Sequence, residues 1–332
     1  MPKTNNTAPR MIAVAGGKGG VGKTTIAANL ALAIGRLGYR VAIVDADLGA
    51  ANVHTMFGVL HPQTTIADFL DHRADSLNDV LVPVSTTTTT IRLVAGTSRP
   101  GSANISSGQK LRLLRAIARL DVDCVLIDVG AGTSFNVVDL VAAADLKLFV
   151  VTPQLPSLHN AYALLKACVH RAVRKLSDDE TEQGLIDSAL ANEGKARTIP
   201  QLLDVLRPLN PALADKIVDT LWRFGARLIG NQISSANEGA SLDKISQLIK
   251  DQLQIRAPLT TTIQRTQALA GSLKPGAGML VERHDPGYDA FRQLASSVMD
   301  ADLAQLRGQT RTTSGTMPIW IQRELQDLAA AT

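Results

Sequence analysis

A single glycine-rich segment constrains the fold of this chain more than any other part of it. Residues 17–24 have the sequence GKGGVGKT and fit the phosphate-binding pattern G-x-x-x-x-G-K-[ST]. The apolar residues 11–15 before it predict a buried strand, and apolar side chains at helical spacing follow it as far as Gly38. A strand, a glycine-rich turn and a helix N-terminus together direct backbone N–H groups towards a phosphate chain. The sequence therefore predicts an α/β fold that opens with a nucleotide site.

The residues of this loop have separate chemical tasks. Lys23 is expected to reach the β- and γ-phosphate oxygens as a point charge, and Thr24 offers Mg²⁺ a hydroxyl oxygen. Thr25 is expected to contact the α-phosphate. The competing interpretation, a chance glycine-rich turn, is disfavoured by the strand and helix patterns on either side. The predicted cofactor-binding residues of the loop are Gly17, Lys18, Gly19, Gly20, Val21, Gly22, Lys23, Thr24 and Thr25.

Three aspartates stand at the predicted carboxyl ends of two buried strands. Asp45 and Asp47 follow the apolar residues 41–44, and Asp128 follows residues 122–127. Because the carboxyl ends of parallel strands form the ligand edge of an open sheet, these carboxylates can hold Mg²⁺ or orient an attacking water. The competing interpretation is that these acids only cap the ends of the strands. The predicted metal ligands are Thr24, Asp45 and Asp128.

The second lysine of the loop indicates which family of phosphate-loop proteins the chain resembles. Residues 15–25, with Lys18 directly after the first glycine of the pattern, resemble the deviant Walker A loop of the MinD/ParA family of dimerising ATPases. Residues 128–132, with the sequence DVGAG, resemble the Walker B acid and switch loop of that family. Together with residues 160–162, they are most similar to its FlhG-like and MinD-like branch. The resemblance covers about residues 10–305, apart from an insertion.

The resemblance implies ATP and Mg²⁺ as cofactors and a role for each matched residue. Lys18 is expected to cross a dimer interface to the partner's nucleotide, Asp47 to position the hydrolytic water, and Asn231 to bond the adenine edge. Residues 52–54, NVH, depart from the N-L-D of division-site members, which affects the expected partner contacts and not the nucleotide chemistry. The predicted catalytic residues are Lys18, Lys23, Asp47 and Asp128.

The alternation of predicted strands and helices indicates a three-layer α/β/α sandwich with a mostly parallel, doubly wound sheet. Residues 61–84 are predicted as short helices and loops, and residues 286–307 as the last core helix. The expected organisation is a disordered leader at residues 1–10, an ATPase domain at 11–307 with a helical insertion at about 174–223, a linker at 308–316 and an amphipathic tail helix at 317–332.

A basic face is predicted on the helix that follows the loop at residues 96–106. Lys110, Arg112, Arg115 and Arg119 lie opposite the apolar side chains of this helix. We expect the four side chains to be solvated, as most such faces are; the alternative is contact with an acidic partner, lipid or DNA.

Composition narrows the function classes. Aromatic residues make up 3% of the chain, which argues against stacking platforms for single-stranded nucleic acid, and a net charge of +4 proves neither nucleic-acid nor membrane binding. Cys124 and Cys168 both occupy apolar patterns, so an iron–sulfur or structural zinc site is not expected. Residues 1–10 lack the pattern of a signal peptide and no apolar run has transmembrane length, so the expected location is cytoplasmic.

These observations favour a Mg-ATP-dependent, dimerising ATPase switch that hydrolyses ATP slowly and controls the position or number of a cellular structure. We expect an ATP-dependent homodimer, a regulatory protein partner and a tail that docks on protein, with peripheral membrane association through the tail as the competing expectation. The alternative functions are a DNA-segregation ATPase that binds DNA nonspecifically, which is less favoured, and a nucleotide-binding scaffold with negligible turnover.

Overall fold

One eight-stranded sheet organises the fold. The computed structural model describes residues 8–86, 89–97, 104–177, 179–191, 198–265 and 286–301. Its strands are β1 Arg10–Ala15, β2 Val41–Ala46, β3 Leu81–Ser85, β4 Thr90–Val94, β5 Cys124–Val129, β6 Leu146–Val151, β7 Ala226–Ile233 and β8 Leu259–Gln264. They are ordered β3-β4-β2-β5-β1-β6-β7-β8 across the sheet. The β3–β4 pair is antiparallel and the other neighbouring pairs are parallel.

Helices follow most strands, often from a serine, threonine or asparagine that accepts a backbone N–H of the first turn. Ser106 and Ser134 are such N-caps, accepting from the backbone N–H groups of Gln109 and Val137. The described α-helices are α1 Lys23–Arg36, α2 Val53–Met56, α3 Ile66–Leu70, α4 Ser107–Ile117, α5 Phe135–Ala143, α6 Leu155–Arg174, α7 Glu180–Ala191, α8 Ile199–Leu206, α9 Pro211–Trp222, α10 Ala236–Leu253 and α11 Pro286–Met299.

Helices cover both faces of the sheet, so the predicted three-layer sandwich is confirmed. One core contains side chains of α1 and α11, including Leu30 and Phe291. The core on the other face contains side chains of α4, α5 and α6, including Leu114, Leu140 and Leu165. Every residue of β1, β2, β5 and β6 is buried, which is why each of these strands is apolar apart from one charged residue.

The prediction of helices and loops throughout residues 61–84 is wrong at its end, where β3 forms an antiparallel edge strand. β3 contains Pro83 and leaves most of its residues partly or fully exposed, so it lacks the apolar run of a central strand. A proline is tolerated here because an edge strand need not donate every N–H to a neighbour. Residues 77–80 before it form a short 3₁₀ turn.

The prediction of a solvated basic face on α4 is wrong for Lys110 and Arg112. Lys110 is 6% exposed and forms an ion pair with Asp139 of α5, a partner 29 residues away in sequence. Arg112 lies over the ring of Phe69, 4.2 Å from its centroid, and donates to the carbonyl oxygen of the same residue. Arg115 is half-buried and Arg119 is exposed.

Several boundaries differ from the predictions. Strand β1 begins at Arg10, whose buried guanidinium donates to the carbonyl oxygen of Ala301 after α11. Helix α11 ends at Met299, before the predicted end at residue 307. Residues 1–7 of the predicted leader, the linker and the amphipathic tail lie outside the described residues. None of the described helices combines the length and apolar character needed to cross a bilayer.

Candidate nucleotide-binding site

The glycine-rich loop connects β1 to α1 at the centre of the sheet, where β1 pairs with β5 and β6. Lys18, Gly19 and Gly20 are exposed, and a Cβ atom on either glycine would meet no other atom within 4 Å. Gly22 is the N-cap of α1 and has a φ of 93°, in the left-handed region that favours glycine. The loop therefore leaves open space in front of the N-terminus of α1, where a phosphate chain is favoured.

Gly17 holds the other side of the loop against α6. A Cβ atom on Gly17 would lie 2.0 Å from the carbonyl carbon of Asn160, which no side chain can tolerate against backbone. The loop and α6 are thus in direct backbone contact. This close contact is absent from the sequence analysis, because nothing in the pattern indicates which helix lies beside the loop.

Lys23, Thr24 and Thr25 occupy the first turn of α1. Lys23 and Thr25 are buried, and Thr24 is partly exposed. The hydroxyl of Thr24 donates to Asp128 Oδ2 at 2.7 Å, which joins the start of α1 to the end of β5. The sequence pattern assigned Thr24 and Asp128 to one metal site, and in the structure their side chains are in contact.

Asp128 is a buried carboxylate that can still accept a further contact. The residue is 1% exposed, and Oδ1 is buried with no hydrogen-bond partner among the described residues. Burial is the main cause that raises the pKa of Asp128 to about 7, and the nearby carboxylates of Asp45 and Asp47 act in the same direction. The bond from Thr24 and the charge of Lys23 oppose this shift. An orphaned carboxylate oxygen beside a threonine hydroxyl fits a hard cation such as Mg²⁺.

The described residues contain no group of three or more His, Cys, Asp or Glu side chains that could hold a metal ion. Thr24 and Asp128 supply one hydroxyl and one carboxylate, which is the donor set of a P-loop site that takes its remaining ligands from phosphate and water. The residues present therefore fit Mg²⁺ as the companion of a bound nucleotide.

Asp45 has a different environment from Asp128. It is fully buried, and its carboxylate accepts the backbone N–H groups of Asn52 at 2.9 Å, Val53 at 3.0 Å and Asp47 at 3.3 Å. Burial, which outweighs these bonds, raises the pKa of Asp45 to about 6. Asp45 thus anchors the segment that connects β2 to α2 through these three bonds.

Asp47 lies between the ends of β2 and β5. It is partly exposed, and a Cβ atom on Gly130 would lie 3.0 Å from Asp47 Oδ1. The strand register explains this closeness, because Asp45 of β2 pairs with Asp128 of β5. The three predicted carboxylates are therefore gathered at one edge of the sheet.

Asn231 contacts the loop itself. The side chain, on β7, is 2% exposed, and its Nδ2 donates to the carbonyl oxygen of Val21 at 2.8 Å. A Cβ atom on Gly22 would lie 2.3 Å from the same Nδ2, so Gly22 also makes room for this amide. Asn231 Oδ1 is buried without a hydrogen-bond partner among the described residues, which leaves it an unused acceptor.

Gln232 is a loop contact that the sequence analysis missed. Its Nε2 donates to the carbonyl oxygen of Gly20 at 3.3 Å, and its φ of 59° lies in the left-handed region that is uncommon for residues other than glycine. The adjacent polar pair at the end of an apolar strand is the signal that could have suggested both contacts. The sequence alone does not show that this strand end faces the loop.

Comparisons with known proteins agree with this geometry. A ParA family model, described as a NUBPL iron-transfer P-loop NTPase, matches residues 7–176, just over half of the chain. The chain is 40% identical over 159 residues to the antiactivator FleN of Pseudomonas aeruginosa, across 47% of this chain and 55% of FleN. It is 29% identical over 202 residues to the septum site-determining protein MinD of Helicobacter pylori, across 59% of this chain and 74% of that MinD. The chain spans about half the length of FleN and of a putative MinD of Oltmannsiellopsis viridis that it also matches.

Solved structures share the fold. MinD of Pyrococcus horikoshii, complexed with Mg-ADP, superposes with a TM-score of 0.59 at 19% identity, covering 88% of this chain and 96% of that chain. A chain of the MinC:MinD cell division protein complex of Aquifex aeolicus gives a TM-score of 0.59 at 20% identity, covering 88% of this chain and 96% of that chain.

Iron transfer, which the description of the family model names, finds no support in the cysteines of this chain. Cys124 in β5 and Cys168 in α6 are both fully buried, and burial raises the pKa of each thiol to about 12. Metal ligation requires the thiolate, which such sites disfavour. The likeness therefore lies in the P-loop NTPase core, whose members use ATP and Mg²⁺. The chain belongs to the ParA family of P-loop NTPases.

Proposed function

We propose that this protein is a Mg-ATP-dependent switch that dimerises around ATP, hydrolyses it slowly and thereby controls the position or number of a cellular structure. The observation that carries the proposal is the contact between Thr24 and Asp128 at the end of an open loop in which Lys18 is exposed. The relatives extend it to cell organisation, since they are an antiactivator and septum site-determining proteins.

The residues of the loop and Asp128 would each contact a different part of a bound Mg-triphosphate. The N–H groups of the loop and the ammonium of Lys23 would bind the phosphate oxygens, and the hydroxyl of Thr24 would serve as a ligand of Mg²⁺. Asp128 would hold a water on that cation through Oδ1, the oxygen that has no partner among the described residues. When bound, Mg²⁺ supplies charge stabilisation for the transferred phosphoryl group.

Asp45 and Asp47 would act at the segment that connects β2 to α2, close to the bound nucleotide. Asp47 would orient the attacking water, since it lies beside Gly130 at the edge where the carboxylates meet. Asp45, predicted as a metal ligand, would act at most through water, because its carboxylate accepts three backbone N–H groups. Its bond from the backbone N–H of Asp47 would instead help to hold the start of the segment that carries Asp47.

Asn231 would support recognition of the base. Its Nδ2 fixes the carbonyl group of Val21, and its Oδ1 would accept a hydrogen bond from the exocyclic amine of adenine. Guanine presents an acceptor at the corresponding position, so the same oxygen would disfavour GTP. In a competition assay, Asn231→Ala should weaken ATP binding and reduce the preference for ATP over GTP. An unchanged preference would remove Asn231 from base recognition.

Lys18 of a second copy of the chain would complete the nucleotide-binding site. Two lysines in one short loop repel each other unless a highly charged anion lies close to both. We propose that Lys18 of each protomer reaches the triphosphate bound by its partner, which couples ATP binding to dimerisation. The dimer would then present or bury the surface that a regulatory protein recognises; among the similar proteins, one is an antiactivator and another belongs to a MinC:MinD complex.

Phosphate release at saturating Mg-ATP, together with binding of a fluorescent ATP analogue, tests the proposal. Lys23→Ala should lose binding by at least about 100-fold, because it removes charge-assisted bonds to the phosphates. Asp47→Ala should keep binding and lose turnover. Lys216→Ala, which removes an exposed lysine of α9, should change neither quantity and is the matched control.

Two outcomes would contradict the proposal. Turnover of Asp47→Ala at the rate of the unmodified protein would remove Asp47 from the reaction. Tight ATP binding by the unmodified protein without measurable phosphate release would favour the nucleotide-binding scaffold instead.

A further inference from the structure

The basic side chains of α4 fall into two classes that the sequence does not distinguish. Lys110 is buried in its ion pair with Asp139, and Arg112 is held by the ring and carbonyl group of Phe69. Arg115 and Arg119 form no hydrogen bond or ion pair with any residue that the structure describes. Two guanidinium groups therefore remain available next to each other.

These two arginines line a groove between α4 and the segment after α3. The groove has a volume of about 260 Å³, and its other lining residues include Ser76, Leu77 and Asn78. We call it the arginine groove. Ser76 caps the 3₁₀ turn, and Asn78 Nδ2 donates to its hydroxyl at 3.2 Å. The wall opposite the arginines is thus a fixed turn whose polar side chains reach the opening.

The acids of that wall do not neutralise the arginines. Asp68 and Asp71 both form ion pairs with Arg73, and Asp79 accepts the backbone N–H of Ser76. Asp75, which is exposed, is the acid that lines the groove itself. The groove therefore holds more positive than negative charge among its described side chains.

The electrostatics of Arg115 agree with this description. Burial lowers the pKa of its guanidinium, and the positive charge of Arg119 lowers it further. Like charges held close together in a partly buried groove favour an anionic ligand, because the ligand relieves their repulsion.

We propose that the arginine groove is a docking site for an acidic peptide segment of a protein partner. A guanidinium group binds a carboxylate through two parallel N–H bonds, and two adjacent guanidinium groups match two acidic side chains. Ser76 and Asn78 offer hydrogen bonds to a peptide backbone at the same opening. The site is separate from the nucleotide loop, so its occupation does not depend on the function proposed above.

A nucleic acid is a poorer match for this groove. Duplex DNA requires many phosphate contacts along a surface, and the groove offers two free arginines with Asp75 at the same opening. The net charge of the whole chain is only +4, so no strong general field attracts a polyanion. A free phosphate would also suit the arginines, and it is one arm of the test.

The test measures fluorescence anisotropy of a fluorescein-labelled hexaglutamate peptide with the full chain at about 50 mM salt, where surface charges are weakly screened. Arg115→Gln/Arg119→Gln should weaken binding at least about tenfold, since both bidentate partners are lost. Lys216→Gln/Lys244→Gln removes the same charge from α9 and α10 and should stay within about twofold of the unmodified protein. Circular dichroism melting verifies that each variant is folded.

Arg115→Lys/Arg119→Lys retains the charge and removes the bidentate geometry, so it should bind with intermediate affinity. If the Gln variant does not fold, Arg119→Glu replaces it, because Arg119 is exposed. The proposal is overturned by absence of peptide binding, or by equal loss of binding in the Lys216 and Lys244 control. It is also overturned if inorganic phosphate, or a DNA duplex of about 20 base pairs, binds more tightly than the peptide with the same dependence on Arg115 and Arg119.

Discussion

Lys110→Met should destabilise the protein strongly although the residue lies on the surface helix α4. Asp139 of α5 is fully buried and is held between Lys110 and Arg171 of α6, so one carboxylate connects three helices. Replacing the lysine with methionine keeps the length of the side chain and removes its charge. Asp139 then depends on Arg171 alone, which donates from Nε at 2.7 Å and from Nη2 at 3.2 Å.

The expected magnitude follows from what remains bonded. Removing one partner of a buried ion pair costs about 3–5 kcal/mol when the other charge is left alone. Because Arg171 still satisfies part of Asp139, we expect a loss of about 2–3 kcal/mol in the free energy of unfolding. Urea denaturation followed by circular dichroism measures this loss. Lys216→Met, at an exposed position, should stay within about 0.5 kcal/mol of the unmodified protein.

The stability difference between Lys110→Met and the unmodified protein should also depend on pH. Burial tends to raise the pKa of Asp139, but the bonds and charges of Arg171 and Lys110 outweigh it and hold the pKa below its usual range. A depressed pKa contributes stability above the unfolded value of about 3.9, and this contribution is lost as pH falls through the folded value. The difference between Lys110→Met and the unmodified protein should therefore be constant from about pH 5 to 8 and shrink below about pH 4.

A double variant checks the cause. In Lys110→Met/Asp139→Leu no buried carboxylate is left in need of a partner, and Arg171, whose side chain is 27% exposed, keeps access to water, so part of the lost stability should return. The reasoning is refuted if Lys110→Met has the stability of the unmodified protein at pH 7, or if the double variant is no more stable than the single one.

Three further predictions concern the loop, a half-buried histidine and the tail. Gly17→Ala should reduce ATP affinity at least about tenfold, because the added Cβ meets the backbone of α6, whereas Gly184→Ala in α7 places its Cβ in open space away from the loop and should bind normally in the same titration. His170 has a pKa lowered to about 4, mainly by burial, so stability should fall by about 2 kcal/mol as pH drops from about 6.5 to 4, a loss that His170→Gln should not show in acid denaturation. Liposome sedimentation with ATP should give equal pelleting for the full chain and for a chain ended at Thr316; tail-dependent pelleting with anionic vesicles would show that the tail binds membrane instead of protein.

The sequence predicts the centre of this fold better than its edges, for physical reasons. β1, β2, β5 and β6 are buried on both faces, so burial alone makes them apolar runs that can be recognised. The edge strand β3 is not buried on both faces, so its sequence lacks an apolar run. The sequence predicts helix and loop there instead. The loop and the acids were recognisable because their chemistry fixes the residue types over short spacings.

The contacts that join distant segments could not be predicted. Asn231 bonds Val21 across 210 residues, and Gly17 contacts Asn160, because the strand order places β6 and β7 beside the loop. The same limit explains the error at Lys110, whose partner lies on the next helix and not on its own. The spacing of apolar residues shows which side of a helix is apolar. It does not show which charged residue lies on a neighbouring element.

The central claim is that ATP joins two copies of this chain through Lys18, and light scattering after size exclusion tests it most directly. With Mg-ATP, Asp47→Ala should elute at twice the monomer mass, because bound ATP is not consumed. Asp47→Ala/Lys18→Ala should remain monomeric under the same conditions, although it still binds ATP through Lys23. A monomeric Asp47→Ala protein at saturating ATP, or a double variant that dimerises equally well, would contradict the claim.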